Sequence, residues 1–146
     1  MKIRDLMTPD VESCTTNDTL QQAAQIMEEL DVGIVPIVSN DGSQRLEGVM
    51  TDRDIVIRAV AKGMDVNSTK VSECYTDQVV SVTPDTDAHE ASKLMATHQV
   101  RRLPVVQDGR LVGICAIGDL AVEGIHEDEA GYALSEISEP DRADLH

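Results

Sequence analysis

Apolar and polar positions along the chain follow two different periods. Short apolar runs, rich in β-branched residues, predict strands at residues 11–14, 34–38, 46–51, 79–82, 103–106 and 110–116. Two longer stretches, residues 20–30 and 88–95, carry apolar side chains at helical spacing. Each follows a capping-box pattern, Thr19-x-x-Gln22 in the first and Asp87-x-x-Glu90 in the second. Residues 52–62 and 117–125 predict two further helices.

The apolar face of the first long helix is specified by side chains at helical spacing. They are Leu20, Ala23, Ala24, Met27 and Leu30. The sequence therefore predicts one apolar stripe along this helix.

The same order of elements occurs twice. Residues 11–38 align without a gap onto residues 79–106, with identities that include Ala23/Ala91 and Met27/Met95. Such an internal repeat predicts two copies of one unit. One copy is too small to bury both faces of its sheet, whereas two copies related by a pseudo-twofold axis can do so. The expected fold class is therefore α/β (α+β), with β-α-β-β-α twice.

The repeat also sets the expected domain boundaries. Residues 1–62 form repeat 1, residues 63–72 the connector and residues 73–125 repeat 2. Residues 126–146 are acidic, and we interpret them as a flexible tail.

Composition narrows the classes of function. The net charge is -15, which argues against nucleic-acid and membrane-surface partners, because both require basic surface. The start of the chain lacks the apolar core of a signal peptide, and no apolar run reaches membrane-spanning length, so we expect a cytoplasmic protein. Cys14, Cys74 and Cys115 are odd in number and widely spaced, which favours reduced core thiols. A redox pair is the alternative.

The candidate chemistry lies where the fourth predicted element, the strand at residues 46–51, meets the next helix. Thr51, Asp52 and Asp54 stand at this turn. A hydroxyl can meet a phosphate, and a carboxylate can accept hydrogen bonds from both hydroxyls of a sugar diol. Thr51 and Asp52 are also ordinary helix-capping residues, and the two roles are compatible. The second copy keeps the carboxylate as Asp119 but has Ala116 where the hydroxyl would stand.

These segments resemble those of the CBS domain pair, the Bateman module named after cystathionine beta-synthase. The resemblance rests on the motifs Asp-Leu-Met-Thr at 5–8, Val-Gly-Ile-Val-Pro-Ile-Val at 32–38 and Gly-Val-Met-Thr-Asp-Arg-Asp at 48–54, and on their second copies. It covers residues 1 to about 125 and is similar to the standalone hypoxic-response type. It implies a non-enzymatic regulatory module that binds AMP, ADP, ATP or another adenosine compound in the cleft between its repeats.

The resemblance also implies which residues bind. Asp54 would hold the ribose and Thr51 the phosphate, while the start of each central strand would line the cleft. Those lining residues are Gly33, Ile34, Arg101 and Arg102. Asp119 would keep a ribose ligand in a weaker second site. Asp52 places a carboxylate beside the phosphate. Its charge would be offset by Arg53, Arg58, the Arg101–Arg102 pair or a Mg²⁺ ion accompanying ATP, and no other cofactor is required. Arg101 and Arg102 have a plainer interpretation as a solvated strand start.

Partners follow from the same resemblance. We expect a homodimer built through helix faces, with its output read by an unidentified protein in trans. No nucleophile–base set, glycine-rich phosphate loop or metal-ligand spacing is present in the sequence, so we expect neither catalysis nor a metal site. A second hypothesis, of another class, is a ligand-free dimeric assembly or redox and stress-response module that works through its surfaces or its three cysteines.

Overall fold

The structure is a computed structural model that describes residues 1–9 and 11–122. It divides into two compact units. The first-repeat unit contains Glu12–Val79 and Gly109–Leu111. The second-repeat unit contains Met1–Val11, Val80–Asp108 and the described residues from Val112 onward.

The first-repeat unit follows the predicted β-α-β-β-α order. Its elements are strand β2 (Cys14–Thr15), helix α1 (Leu20–Leu30), strand β3 (Ile34–Val38), strand β4 (Leu46–Thr51) and a final helical segment that begins with α2 (Asp52–Asp54). In its sheet, β3 lies between β2, which is parallel to it, and β4, which is antiparallel. A short 3-10 turn, Val71–Glu73, follows the helical segment.

The second-repeat unit has the corresponding elements. They are helix α3 (Ala88–His98), strand β5 (Arg102–Gln107), strand β6 (Arg110–Ala116) and helix α4 (Ile117–Val122). Instead of the strand expected at residues 79–82, the structure has a single parallel bridge between Val82 and Val105. The sheet order is β1-β6-β5, with β1 (Thr8–Pro9) antiparallel to β6. A 3-10 turn, Ile3–Asp5, precedes β1.

The start of each sequence repeat packs in the unit of the other repeat. Thr8 at the start of repeat 1 pairs with Ile114 of β6. Correspondingly, Thr76 at the start of repeat 2 pairs with Val49 of β4. Packing and sequence repetition therefore divide the chain differently, because residues 1–11 belong to the second-repeat unit and residues up to Val79 to the first.

Each unit has its own aliphatic core. In the first-repeat unit the fully buried side chains include Leu20, Ile37 and Met50, and in the second-repeat unit Ile3, Met95 and Leu103. With no Phe or Trp in the chain, burial of these aliphatic groups is the main source of stability in each unit.

The predicted capping box of helix α1 is confirmed, but only part of its predicted apolar stripe is buried. The Thr19 hydroxyl accepts from the Gln22 N–H at 3.2 Å, and the Gln22 side chain accepts from the Thr19 N–H at 2.8 Å. Leu20, Ala23 and Met27 are buried, but Ala24 and Leu30 are exposed. The buried face is thus narrower than the sequence predicted. In α3 the expected capping box is absent, since Asp87 makes no side-chain cap hydrogen bond.

The helix predicted at residues 52–62 is not a continuous α-helix. After α2 comes a π-helical turn, Ile55–Ala59, and then a 3-10 turn, Val60–Lys62. The Val60 N–H bonds to the Ile55 carbonyl, which is the wide π spacing. Residues 55–57 are all β-branched, and their restricted rotamers weaken the preference for a regular α-helix. Gly63, at φ 75°, ends the segment.

Candidate functional site

The turn from β4 into α2 is a reciprocal capping box. Thr51 ends the strand, and its hydroxyl accepts a hydrogen bond from the Asp54 N–H at 3.0 Å. The Asp54 carboxylate accepts in return from the Thr51 N–H at 3.0 Å. Thr51 is therefore the N-cap, as its ordinary role predicts. Capping uses an acceptor lone pair of the hydroxyl, so the O–H can still donate to a ligand.

Asp54 is a buried carboxylate with three protein partners. Only 8% of the residue is exposed. Besides the Thr51 N–H, it accepts from the Thr76 hydroxyl, at 3.1 Å to Oδ2 and 3.3 Å to Oδ1. The Arg58 Nε lies 3.5 Å from Oδ1 and forms an ion pair. The buried carboxylate thus has two hydrogen-bond donors and one cationic side chain as partners.

Residues 74–76 cover the Asp54 carboxylate. The Thr76 backbone exchanges two hydrogen bonds of 2.9 Å with Val49. One guanidinium nitrogen of Arg58 donates to the carbonyls of Cys74 and Tyr75, at 3.4 and 3.2 Å. Arg58 therefore connects the carboxylate to the segment that lies over it.

The other predicted residues of the first repeat lie at the same turn. The Asp52 N–H donates to the Gly33 carbonyl at 3.0 Å, and Ile34 pairs with Thr51. A Cβ atom at Gly33 would lie 3.2 Å from Asp52 Oδ2, so the absence of a side chain leaves room for this carboxylate. Asp52 itself is exposed, and its Oδ1 accepts from the Arg53 N–H at 2.8 Å.

The second-repeat unit contains a matching but incomplete turn. The Ile117 N–H donates to the Arg101 carbonyl at 2.8 Å, and Arg102 begins β5. Asp119 accepts from the Ala116 N–H at 2.9 Å, as Asp54 does from Thr51. Ala116 has no hydroxyl that could accept a hydrogen bond from the Asp119 N–H, as the Thr51 hydroxyl does from Asp54. Arg101, Arg102 and Asp119 thus come together in one unit, and the predicted residues of the first repeat come together in the other.

Thr76 is the site residue that the sequence interpretation missed. It stands where Thr8 stands in the first copy, so the repeat alone could have marked it. Its contact with Asp54 depends on the pairing of residues 74–76 with β4, which no local pattern indicates. In the part of the chain that the structure describes, Thr8 makes no side-chain hydrogen bond to Asp119, so the two units differ here.

The three cysteines are buried and unpaired. Burial, with the nearby Asp18 and Glu12 carboxylates, raises the pKa of Cys14 to about 12. Burial and the Asp119 carboxylate raise the pKa of Cys115 to about 12. Burial also raises the pKa of Cys74. Thiolates are the reactive form, so these raised values disfavour redox chemistry at neutral pH.

Two further findings concern the described residues alone. Within residues 1–9 and 11–122, no group of three or more His, Cys, Asp or Glu side chains could hold a metal ion. Over the same residues, no helix combines the length and apolar character needed to cross a bilayer. The acidic tail and the end of the helix predicted at residues 117–125 lie outside the described residues.

Comparison with known proteins assigns the family. The CBS domain matches the chain twice, at residues 3–60 and 71–124. The chain belongs to the CBS domain family. The double match confirms the predicted pair of repeats, and a CBS domain pair is a regulatory module.

Relatives of similar length support the same assignment. YlbB of Bacillus subtilis is 44% identical over 140 residues, which are 96% of this chain and 93% of that protein. Hypoxic response protein 1 of Mycobacterium tuberculosis is 42% identical over 118 residues, which are 81% of each chain. The resemblance to the hypoxic-response type is therefore confirmed.

Solved CBS-pair structures share the fold. Hypoxic Response Protein I, solved with two coordinated zinc ions, superimposes with a TM-score of 0.76 at 39% identity, covering 84% of this chain and 98% of that one. A CBS domain pair in complex with 5′-methylthioadenosine and S-adenosyl-L-methionine gives a TM-score of 0.71 at 25% identity, covering 85% of this chain and 95% of that one. CBSX2 in complex with AMP, at 23% identity over 87% of this chain and 98% of that one, has a TM-score of 0.72 and supports the fold alone.

Proposed function

We propose that this CBS domain pair is a non-catalytic regulatory module that binds an adenosine compound of the AMP, ADP or ATP class at Asp54. The observation that carries the proposal is the buried Asp54 carboxylate, placed by a capping box at the end of β4. A ribose presents two neighbouring hydroxyls, and a carboxylate has enough lone pairs to accept from both.

Neighbouring groups suit the rest of such a ligand. The Thr51 hydroxyl keeps its proton available for a phosphate oxygen, and Gly33, which has no side chain, leaves room for the Asp52 carboxylate at the same turn. The Arg58 guanidinium supplies positive charge at the Asp54 carboxylate, with its Nε 3.5 Å from Oδ1. In the second-repeat unit, Asp119 with Arg101 and Arg102 would form a second, weaker site, because Ala116 offers no hydroxyl.

Related structures support the chemical class of the ligand. The complex at 25% identity holds 5′-methylthioadenosine and S-adenosyl-L-methionine, both of which contain adenosine. What these ligands share is the ribose and adenine, which matches a site built on a carboxylate rather than on a phosphate loop.

A thermal-shift panel tests the proposal. Its compounds are AMP, ADP, ATP with and without Mg²⁺, NAD, S-adenosylmethionine and cyclic di-AMP, with Zn²⁺ added because Hypoxic Response Protein I holds zinc. A ligand at 100 times its dissociation constant adds about 2.7 kcal/mol to the unfolding free energy, a melting shift of roughly 8 °C for a chain of this size. We expect Asp54→Ala to abolish the shift and Asp119→Ala to retain most of it. An undiminished shift in Asp54→Ala would refute the site.

We further propose that the protein is a homodimer and that a separate partner protein recognises its ligand-bound state. Val56, Ile57 and Val60 lie in the helical segment after α2 and are 53%, 47% and 56% exposed. Three exposed apolar side chains so close together suit burial against a second copy.

The dimer proposal predicts that a single charged substitution in this apolar surface converts the protein into a monomer. Ile57→Glu would place a carboxylate in the apolar contact, whose burial costs several kcal/mol. Sedimentation equilibrium should then show a monomer, while Thr97→Glu, an exposed position on α3, stays dimeric. A dimer that persists in Ile57→Glu would place the interface elsewhere.

A further inference from the structure

The Asp54 carboxylate already holds a hydroxyl group. Thr76 Oγ1 lies 3.1 Å from one carboxylate oxygen and 3.3 Å from the other, the position of a group that donates to both. A ribose hydroxyl bound at Asp54 would require the same acceptor positions. The protein's own hydroxyl therefore stands where the proposed ligand's hydroxyl would bind.

The other two partners of Asp54 are harder for an incoming diol to displace. The Thr51 N–H bonds to Oδ2 as part of the cap, and the Arg58 Nε lies 3.5 Å from Oδ1. Breaking the cap would disturb the turn that places the carboxylate. The Thr76 hydroxyl, in contrast, can leave by rotation about χ1 without loss of the backbone pairing between Thr76 and Val49. Of the three partners, Thr76 is the one that a ligand can replace at least cost.

We propose that Thr76 is an affinity-determining residue of the Asp54 site, because its hydroxyl occupies the carboxylate in the free protein and must be displaced by the ribose. This inference rests on the function proposed above. Ligand binding then exchanges one hydroxyl for another, and the net gain is smaller than it would be at an open carboxylate. The internal hydroxyl keeps the buried charge satisfied when no ligand is bound, at the expense of affinity.

The other sequence repeat offers a matched control. Thr8 is the repeat equivalent of Thr76, and its backbone pairs with β6 as that of Thr76 pairs with β4. Its side chain is exposed, and among the described residues it forms no hydrogen bond with Asp119. The same substitution at the two positions separates loss of the contact with Asp54 from a general effect of replacing threonine.

Calorimetric titration of AMP, ATP and S-adenosylmethionine into Thr76→Val, Thr76→Ser and Thr8→Val tests the inference. Valine keeps the shape of threonine and removes the hydroxyl, so Thr76→Val should bind with a dissociation constant about tenfold lower than wild type, a change of about 1.4 kcal/mol. Thr76→Ser retains the hydroxyl and should stay within about twofold of wild type, as should Thr8→Val. If Thr76→Val folds poorly, Thr76→Ala removes the same hydroxyl and should likewise lower the dissociation constant; a value equal to or above that of wild type would overturn the inference.

The possible outcomes separate the two claims. If binding requires Asp54 and Thr76→Val binds equally or more weakly, Thr76 is not a competitor and the inference is overturned, while the proposed function stands. If none of the compounds binds wild type or Thr76→Val, the proposed function fails and the inference fails with it. Tighter binding in Thr76→Val that is absent in Thr76→Val/Asp54→Ala supports both.

Discussion

At the scale of single residues, Asp54 serves the fold and the proposed site with the same two oxygens. As the N3 residue of the capping box it satisfies a backbone N–H, and as a buried charge it is held by Thr76 and Arg58. Asp119 repeats the backbone contact alone. The sequence predicted both aspartates from the repeat, but it could not show that one is covered by another segment, because Thr76 is distant from Asp54 along the chain.

The hydroxyl at the N-cap gives a prediction that compares the two copies. Thr51→Ala removes the acceptor for the Asp54 N–H and should lower the unfolding free energy by about 1 kcal/mol. Ala116→Thr adds the missing cap in the second copy and should raise it by up to about 1 kcal/mol. Urea unfolding of the two variants checks the predicted decrease and the predicted increase in unfolding free energy. An unchanged midpoint in Thr51→Ala would show that its hydroxyl does not stabilise the turn.

At the scale of elements, the strand and helix order was predictable, apart from the strand expected at residues 79–82, because periods of two and 3.6 residues are visible in the sequence. The helix after β4 was predicted as one element but contains α, π and 3-10 turns. Periodicity marks an apolar face without specifying the hydrogen-bond spacing, so the π turn at Ile55–Ala59 could not be predicted. The exposed Ala24 and Leu30 have a similar cause, since the pattern does not state how much of a face is covered.

The segment at the start of each sequence repeat lies against a glycine in the unit of the other repeat. Replacing these two equivalent glycines should lower the unfolding free energy by unequal amounts. A Cβ at Gly48 would overlap the Thr76 carbonyl oxygen and lie 2.6 Å from Tyr75 Cδ2. A Cβ at Gly113 would lie 2.8 Å from the Thr8 carbonyl oxygen and 2.9 Å from the flexible Met7 Sδ. We expect Gly48→Ala to cost about 2–3 kcal/mol and Gly113→Ala about 1–2 kcal/mol of unfolding free energy.

Urea unfolding measures this difference, with Gly118→Ala as the control. Gly118 lies in α4, and no described atom would lie within 4 Å of a Cβ there. Replacing a helical glycine with alanine there should stabilise by up to about 1 kcal/mol. Equal losses at Gly48 and Gly113 would contradict the difference in packing between the two units.

At the scale of the whole molecule, the sequence revealed two repeats but not which segments pack together. Residues 1–11 belong by sequence to the first repeat and by packing to the second-repeat unit. This exchange depends on strand pairing between residues far apart in the chain, such as Thr8 with Ile114, which periodicity does not encode. The core, in contrast, was predictable, since a chain without Phe or Trp can bury only aliphatic and sulfur-containing side chains in quantity.

The buried thiols in both units make global stability depend on pH. With pKa values raised to about 12, Cys14 and Cys115 stay protonated in the folded state at pH values where they ionise in the unfolded chain. Their contribution is fully present below the unfolded pKa of about 8.5 and is lost as pH rises towards about 12. Each thiol should lower the unfolding free energy by about 1.4 kcal/mol per pH unit above about pH 9.

Urea unfolding between pH 7 and 10 checks this dependence. The double variant Cys14→Ala/Cys115→Ala should show a shallower decline than wild type, whatever its stability at pH 7. Parallel declines in the two proteins would mean that the thiols ionise equally in the folded and unfolded states.

The most direct test of the central claim is calorimetric titration of AMP, ATP and S-adenosylmethionine into wild type, Asp54→Ala and Asp119→Ala. The account predicts that at least one compound binds wild type, that Asp54→Ala weakens it by about 30-fold or more, since hydrogen bonds to a charged group contribute about 1.5–3 kcal/mol each, and that Asp119→Ala retains the tighter site. Binding of the same compound by Asp54→Ala with wild-type affinity would contradict the account.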